Sequence, residues 1–344
     1  MAHNLDFSTG RAGMAFRGNR ADIWHRMGQE MPEGQGVDAW AKAAGLDWTA
    51  IKVPAIVDLT GAEFQHLPVN GNKMPAMPDR RFVVRSNNGH ALGYVSDGYQ
   101  PVQPAEVLEW FQRYISVDDR FELDVAGSLK AGEIIWATAK FSGGMEVAGD
   151  AHTARLLMTT TFDGSGSTIN KATTTRVVCN NTLDAALYDK KAIVRTRHST
   201  RFQPDRVARE LAAIASGFEQ YKVMGDAMAR APMTPDEVRD LFKTLLEIPF
   251  EAKPDDISTR KMNQYKALGD ALRTTRHERN AGPTQLDAWL ALNAVTRWVD
   301  HERTSMNGDS GEKQFLSSQF GSGANVKAQA VDLLLPRIKS LVPA

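Results

Sequence analysis

The stretch Leu156–Arg201, LLMTTTFDGSGSTINKATTTRVVCNNTLDAALYDKKAIVRTRHSTR, decides how this chain is read. It opens as a Thr-rich strand, turns through Asp163-Gly164-Ser165-Gly166-Ser167, and returns as a second strand over 169–178. Threonine favours the pleated, half-buried surface of a sheet, and a Gly-rich pentapeptide between two such runs marks a hairpin. Cys179-Asn180-Asn181 then leads into an expected short helix over 182–188, with an Asn as its cap. The stretch ends in twelve residues, 190–201, that hold five Lys or Arg, one His and no acid.

Outward from this hairpin, the preceding chain reads as strands with tight turns. Phe82–Arg85 and Leu92–Ser96 flank Asn87-Asn88-Gly89, a strong hairpin signal. Pro104 begins a helix with an apolar face of Leu108, Trp110, Phe111 and Ile115. Two further strands, 121–129 and 133–141, meet at Lys130-Ala131-Gly132, and 143–150 reads as a turn region. Residues 82–188 therefore read β-β-α-β-β-β-β-α, and the short connections favour antiparallel neighbours.

Before residue 80 the chain reads as an arm with a short helix over 21–31, a helix over 37–45, a strand over 48–59 interrupted by Pro54, and a loop over 70–80. From Pro204 the pattern turns helical. Thr234-Pro235-Asp236-Glu237 combines an N-cap, a Pro at the first helical position and acids in the first turn. Further helices are expected over 205–223, 258–275, 284–301 and 324–339, the last broken near Pro336. The fold class is α+β: a mainly antiparallel sheet with packed helices, followed by a helical C-terminal region. The expected divisions are 1–80, 81–203 and 204–344.

Composition narrows the function classes. Lys plus Arg equals Asp plus Glu at 41 each, so affinity for nucleic acid must come from a local patch. One cysteine, Cys179, excludes an intramolecular disulfide and a multi-Cys zinc site, and it fits a cytoplasmic setting. No segment reads as a signal peptide or a membrane span, and no membrane partner is expected. The eight histidines lack metal-site spacing, and no cofactor is implied.

The candidate site residues follow from chemistry. Lys171, Arg176, Lys190, Lys191, Arg195, Arg197 and Arg201 form a basic set beside the hairpin, suited to phosphates. If residues 192–196 form a strand, Arg195 and Arg197 share one face. The tip, Gly164, Ser165, Gly166 and Ser167, offers backbone N–H groups that reach a phosphate backbone or simply make a turn. In the clusters Thr159–Thr161 and Thr173–Thr175, alternation puts Thr160 on one face and Thr159 and Thr161 on the other. These serve equally as cross-strand pairs or as hydroxyl contacts to phosphate. Cys179 near a helix start, with His198 and Asn180 or Asn181, would compose a nucleophile set, although a Cys after two valines also suits a core. Most of the aromatics, Tyr94 among them, read as core; Tyr99, after a turn, reads as core too or, exposed, as a base-stacking candidate.

The segments LGYVSDGYQPVQPAEVLEWF (92–111), TTRVVCNNTLDAAL (174–187), LNAVTRWVDHERT (292–304) and FGSGANVKAQAVDLL (320–334) resemble the phage/plasmid-like protein family. That is a domain of unknown function found on bacteriophages, plasmids and prophages. The resemblance spans about 82–335 and implies a mobile-element setting, in a bacterial host, with no transferable catalytic residue. The hairpin, helix and basic flank are also similar to the core of single-strand annealing proteins, which hold single-stranded DNA in a basic groove. Three functions follow as expectations. The first is an oligomeric protein that binds single-stranded DNA, with RNA as the alternative ligand. The second is a nucleic-acid-modifying or nucleotide-directed enzyme around Cys179 and His198. The third is a self-assembling accessory or host-defence-interaction protein.

Overall fold

The computed structural model describes residues 5–8, 10–19, 27–67, 74–117, 120–176, 182–184, 193–199, 218–282, 284–303, 317–318 and 321–342. Two sheets carry the α+β architecture. The main sheet is built from β1 (Met14–Phe16), β2 (Gln29–Glu30), β6 (Phe121–Leu129), β7 (Ile134–Phe141), β8 (Met145–Val147), β9 (Asp150–Thr161), β10 (Thr168–Arg176), β11 (Thr182–Asp184) and β12 (Ile193–Thr196). Its order is β11-β10-β9-β7-β6-β1-β2; β12 also pairs with β10, and β8 with β9. All pairs are antiparallel except β1 with β2. The smaller sheet is β3 (Ala50–Ile56), β4 (Ala76–Arg85) and β5 (Ala91–Ser96), in that order.

Alternation along β9 gives the main sheet two different faces. Ala154, Leu156, Met158 and Phe162 look into the large core, together with Ile135, Ala137 and Ala139 of β7. On this face lie α1 (Val37–Ala44) and α2 (Pro104–Val117), which deliver Trp40, Trp110 and Phe111 to the core. On the second face Leu157 joins Leu5, Met14, Phe16, Val125, Leu129, Ile134 and Trp136 in a smaller cluster. The arm preceding α1 thus docks on the body, where β1 adds a strand to β6.

The β6–β7 turn runs through left-handed backbone, which Gly132 adopts freely and Lys130 and Ala131 adopt at a steric cost. Lys130, Ala131 and Gly132 take φ of 51°, 53° and 101° to join β6 and β7. The Ala131 carbonyl accepts a 2.9 Å bond from Arg85 Nη1. Arg85 is 1% exposed and ion-pairs with Asp6, itself 3% exposed, while its guanidinium lies 4.6 Å from the Trp48 ring centroid. Burial pushes the Asp6 carboxyl up, but bonds from Ser8 and Arg85 more than offset this and hold it below the ordinary value. One arginine therefore ties the arm, the small sheet and the β6–β7 turn together.

Several expectations change. The loop expected over 70–80 becomes strand from Ala76, because a bulge at Pro54/Ala55 moves the pairing of β3 from Arg81 to Met77. Pro78 falls in this unpaired step, where its missing N–H costs no ladder bond. A division at residue 80 thus falls inside β4. The turn region over 143–150 contains β8. The arm helix expected over 21–31 gives way at Gln29–Glu30 to β2, and its residues 21–26 lie outside the described residues. The helix expected over 182–188 is instead strand at Thr182–Asp184, where pairing with Thr173–Thr175 supplies backbone bonds that three residues of helix propensity do not. Residues 185–188 lie outside the described residues.

The C-terminal region is helical as expected. It comprises α3 (218–229, with 205–217 outside the described residues), α4 (Pro235–Leu245), α5 (Thr259–Glu278), α6 (Ala288–Arg297) and α7 (Ser322–Ile338). Thr234 and Glu237 complete a capping box at α4: the Thr234 hydroxyl accepts from the Glu237 N–H at 3.2 Å, and the Glu237 carboxylate accepts from the Thr234 N–H at 2.7 Å. α6 begins later than expected because Asp287, not Thr284, is its cap, accepting from the Leu290 N–H at 2.7 Å. α7 continues through Pro336 because Leu334 and Ile338, each 1% exposed, anchor its last turns in the core. Arg279 joins these helices to the sheet through Asp150 at 3.6 Å, Asp287 at 3.4 Å and the Ala148 carbonyl at 3.2 Å. Among the described residues no helix is long and apolar enough to cross a membrane.

Removing one charge of a buried pair strands the other without solvent. Arg85→Ala is expected to lower the unfolding free energy by about 3–5 kcal/mol, read from the urea midpoint. The double variant Asp6→Leu/Arg85→Met, which removes both charges, should lose less than the single one.

Candidate nucleic-acid interface

The β9–β10 hairpin is closed by an Asx turn. Asp163 Oδ1 accepts from the Ser165 N–H at 2.9 Å and from the Ser165 hydroxyl at 2.7 Å, and Gly164 takes φ of 79°. The tip does not stand alone. A Cβ on Gly93 of β5 would sit 2.4 Å from the Asp163 Cα and the Phe162 carbonyl oxygen, and one on Gly164 would meet Val95 at 3.3 Å. The small sheet is pressed backbone-to-backbone onto the hairpin, as only glycine at 93 permits. With its N–H committed to Asp163, Ser165 behaves as a turn residue, although Gly164, Ser165 and Gly166 are exposed.

The family model described as Domain of unknown function (DUF932) matches residues 91–320, which include this hairpin and the strands on both sides of it. The chain belongs to that family. No curated protein and no solved structure matches it. In this DUF932 chain the matched region begins with β5, so β3 and β4 precede it.

The Thr clusters divide between the faces as alternation requires. Thr160 is fully buried on the large-core face, with its hydroxyl 2.9 Å from that of Thr168 and 3.4 Å from His198 Nε2. Thr159 and Thr173 lie on the second face and are buried too, at 5% and 4% exposure. The Thr159 hydroxyl donates to the Ile135 carbonyl at 3.2 Å, a bond within the sheet.

His198 follows β12 and closes over the turn end of the hairpin. Its Nδ1 is 3.1 Å from the Gln100 carbonyl oxygen, and its ring stacks on Tyr99 with centroids 4.5 Å apart. A neutral ring protonated at Nδ1 satisfies both contacts, donating to Gln100 and accepting from Thr160. Burial holds its pKa below 6.5; the Gln100 bond and the Asp163 charge pull the other way and do not compensate. Tyr99 donates to the Thr161 carbonyl at 2.6 Å, and burial, with the Asp163 charge, pushes its hydroxyl above the ordinary value. Both nitrogens of His198 are thus committed to holding β12 and the segment after β5 against the hairpin. Cys179, Asn180 and Asn181, the other members of the nucleophile set, lie outside the described residues.

The basic set separates. Lys171 is corrected: β10 is an interior strand flanked by β9 and by β11 and β12, and the side chain is 1% exposed, so it offers no open phosphate contact. Arg176 pairs with His152 at the end of β10. Lys190, Lys191 and Arg201 lie outside the described residues. Arg195 sits on β12 opposite Ile169, as the expected strand requires, and Arg197 lies just beyond; both are exposed. Val194 points the other way and packs on the large core. Among the described residues neither arginine forms an ion pair. Among the described residues β12 pairs with β10 alone and is an edge strand, with Val194 anchored and Arg195 and the following Arg197 exposed.

The aromatics follow the core reading at Tyr99 and depart from it at Tyr94. Tyr99, the stacking candidate, is 6% exposed, and Tyr94, read as core, is 42% exposed. The cause is a bulge between Val83 and Val84: Gly93 pairs with Val83 and Ala91 with Val84, so Leu92 is the extra residue. Leu92 is buried at 2%, and Tyr94, two residues on, turns outward despite equal spacing. Spacing alone carries no signal for this.

Because His198 resists protonation when folded, the unfolded chain binds the extra proton as pH falls through 6.5. Stability is then full above that pH and declines below it toward the lower folded pKa. A melting-temperature series should show this loss on acidification, and His198→Gln should flatten that part of the profile.

Proposed function

We propose that the chain binds single-stranded nucleic acid, DNA first and RNA as the alternative, and that it works as a homo-oligomer in the cytoplasm of a bacterium hosting a mobile element. The observation that carries this reading is the edge strand β12. Arg195 and Arg197 are exposed there without an ion-pair partner among the described residues, inside a run that also holds Lys190, Lys191 and Arg201 and no acid. Guanidinium groups left without carboxylates release counterions when they meet phosphates, which makes such binding favourable and salt-dependent. The resemblance to the phage/plasmid-like family supports the mobile-element setting.

An annealing or recombination role fits a basic edge beside a β-hairpin and belongs to this proposal. The enzyme reading gains no support from His198, whose ring is used in packing. The helical C-terminal region is buried against β8 and β9 through Gly225, Tyr221 and Trp289 and serves here as a structural partner of the sheet.

The test is fluorescence anisotropy with a labelled single-stranded DNA oligonucleotide across a salt series. Replacing Lys190, Lys191, Arg195 and Arg197 by Ala should weaken binding strongly. The slope of log K against log salt should fall by about 0.7 for each phosphate no longer neutralised. Arg195 and Arg197 are exposed, so Arg195→Ala/Arg197→Ala should barely move the melting temperature. Unchanged affinity in the quadruple variant overturns the proposal.

A further inference from the structure

The small sheet turns its inner face to the hairpin, and its outer face carries exposed side chains. Pairing puts Val53, Phe82 and Tyr94 in one row across the three strands, and Ile51 with Val84 in the next. Tyr94 and Ile51 are 42% and 43% exposed, and Phe82, Val53 and Val84 are half-buried. The Phe82 and Tyr94 rings lie 5.3 Å apart, and the Arg80 guanidinium is 5.6 Å from the Tyr94 centroid.

Charge distinguishes this face from the one behind it. β4 carries three arginines. Arg81 pairs with Asp97 at 3.1 Å, and Arg85 pairs with buried Asp6. Arg80 alone points outward, and among the described residues it has no carboxylate partner. No acid occupies the paired outward positions of the three strands. The face thus combines an exposed aromatic ring, an apolar floor and one uncompensated cation.

We propose that this outer face is a stacking platform for single-stranded nucleic acid, with a base on Tyr94, its neighbour over Phe82 and a phosphate on Arg80. Each base has a π face, so a ring on an apolar floor binds it without reading sequence, and a guanidinium beside the ring suits the attached phosphate. Met77, whose Sδ accepts from the Tyr94 hydroxyl at 3.0 Å, extends the apolar floor, and a guanidinium without a carboxylate beside it favours a phosphate-bearing occupant. The proposal rests on the nucleic-acid reading and adds a second contact surface to it. The two are mechanically joined, since β5 carries Tyr94 outward and Gly93 against the hairpin that β12 edges.

The probe is an oligothymidylate of about 20 nucleotides, long enough to cover several stacking positions. Tyr94→Ala should weaken its binding by roughly 5- to 100-fold, the range for removing one base–aromatic stack. Tyr94→Phe should bind nearly as wild type. Arg80→Ala should reduce the salt slope by about 0.7. With an abasic oligomer of equal length, wild type and Tyr94→Ala should bind alike. Tyr94 is exposed, and an unchanged melting temperature confirms that the variant is folded. If wild type binds the oligothymidylate and Tyr94→Ala binds equally well, the platform is overturned while the basic edge stands. If Tyr94→Ala instead lowers the mass seen by light scattering with affinity intact, the face is a self-contact and the platform is again overturned. If wild type itself binds no oligonucleotide, the nucleic-acid reading fails and the platform with it.

Discussion

The structure depends on β9 being hydrogen-bonded along both edges. β7 holds one edge from Arg155 to Thr161, and β10 holds the other from His152 to Thr159. With both ladders engaged, a one-residue slip would turn Leu156, Met158 and Phe162 away from the large core. The register in turn sends Thr160 inward to Thr168 and His198, and Thr159 to the opposite face. The hairpin tip is thereby fixed in space, and the small sheet is seated on it through Gly93. Adding a methyl group at that glycine would collide with main-chain atoms that cannot swing aside.

A second constraint is the burial of a few charged groups that join segments distant in sequence. Arg85 and Asp6 link the arm to the small sheet. Arg279 links α5 to the β8–β9 turn through Asp150 and the Ala148 carbonyl, and to the cap of α6 through Asp287. Lys327 of α7 reaches Asp300 at 2.9 Å. Such pairs add little net stability over apolar packing, yet each is costly to break singly, so they specify which elements meet. The arginines of β12 and Arg80 of β4 contrast with them: they are solvent-facing and lack carboxylates among the described residues. The contrast sets the charges that hold the fold apart from those left in solvent.

Much of the element order was legible because local chemistry determines it. Asn87-Asn88-Gly89 and Asp163–Ser167 each made the turn their residues favour, Lys130-Ala131-Gly132 turned where its glycine signalled although Lys130 and Ala131 take positive φ, and Thr234-Pro235-Asp236-Glu237 opened a helix. Where a bulge intervened, periodicity misled. Pro78 sits in a strand because the β3–β4 register skips there, and Tyr94 faces solvent because Leu92 is an inserted residue. Residues 182–184 read as helix yet pair with β10, since an unpaired strand edge offers backbone bonds that a three-residue segment cannot make within itself.

For the candidate interface, sequence alone determined that basic residues cluster in the chain just after the hairpin, and it left open whether 192–196 is a strand, which the structure decides at Ile193–Thr196. It also determined the opposite facing of Thr159 and Thr160, because side-chain alternation is a property of any strand. Only the tertiary structure decided which cations reach solvent. Lys171 and Arg195 lie on neighbouring strands of one sheet, but among the described residues β10 is interior and β12 is its edge, so one ammonium is buried and one guanidinium is exposed. Likewise, whether Tyr94 or Tyr99 is available for stacking followed from a bulge and from the closure of His198 over Tyr99. These are matters of pairing between distant segments, which no local spacing encodes.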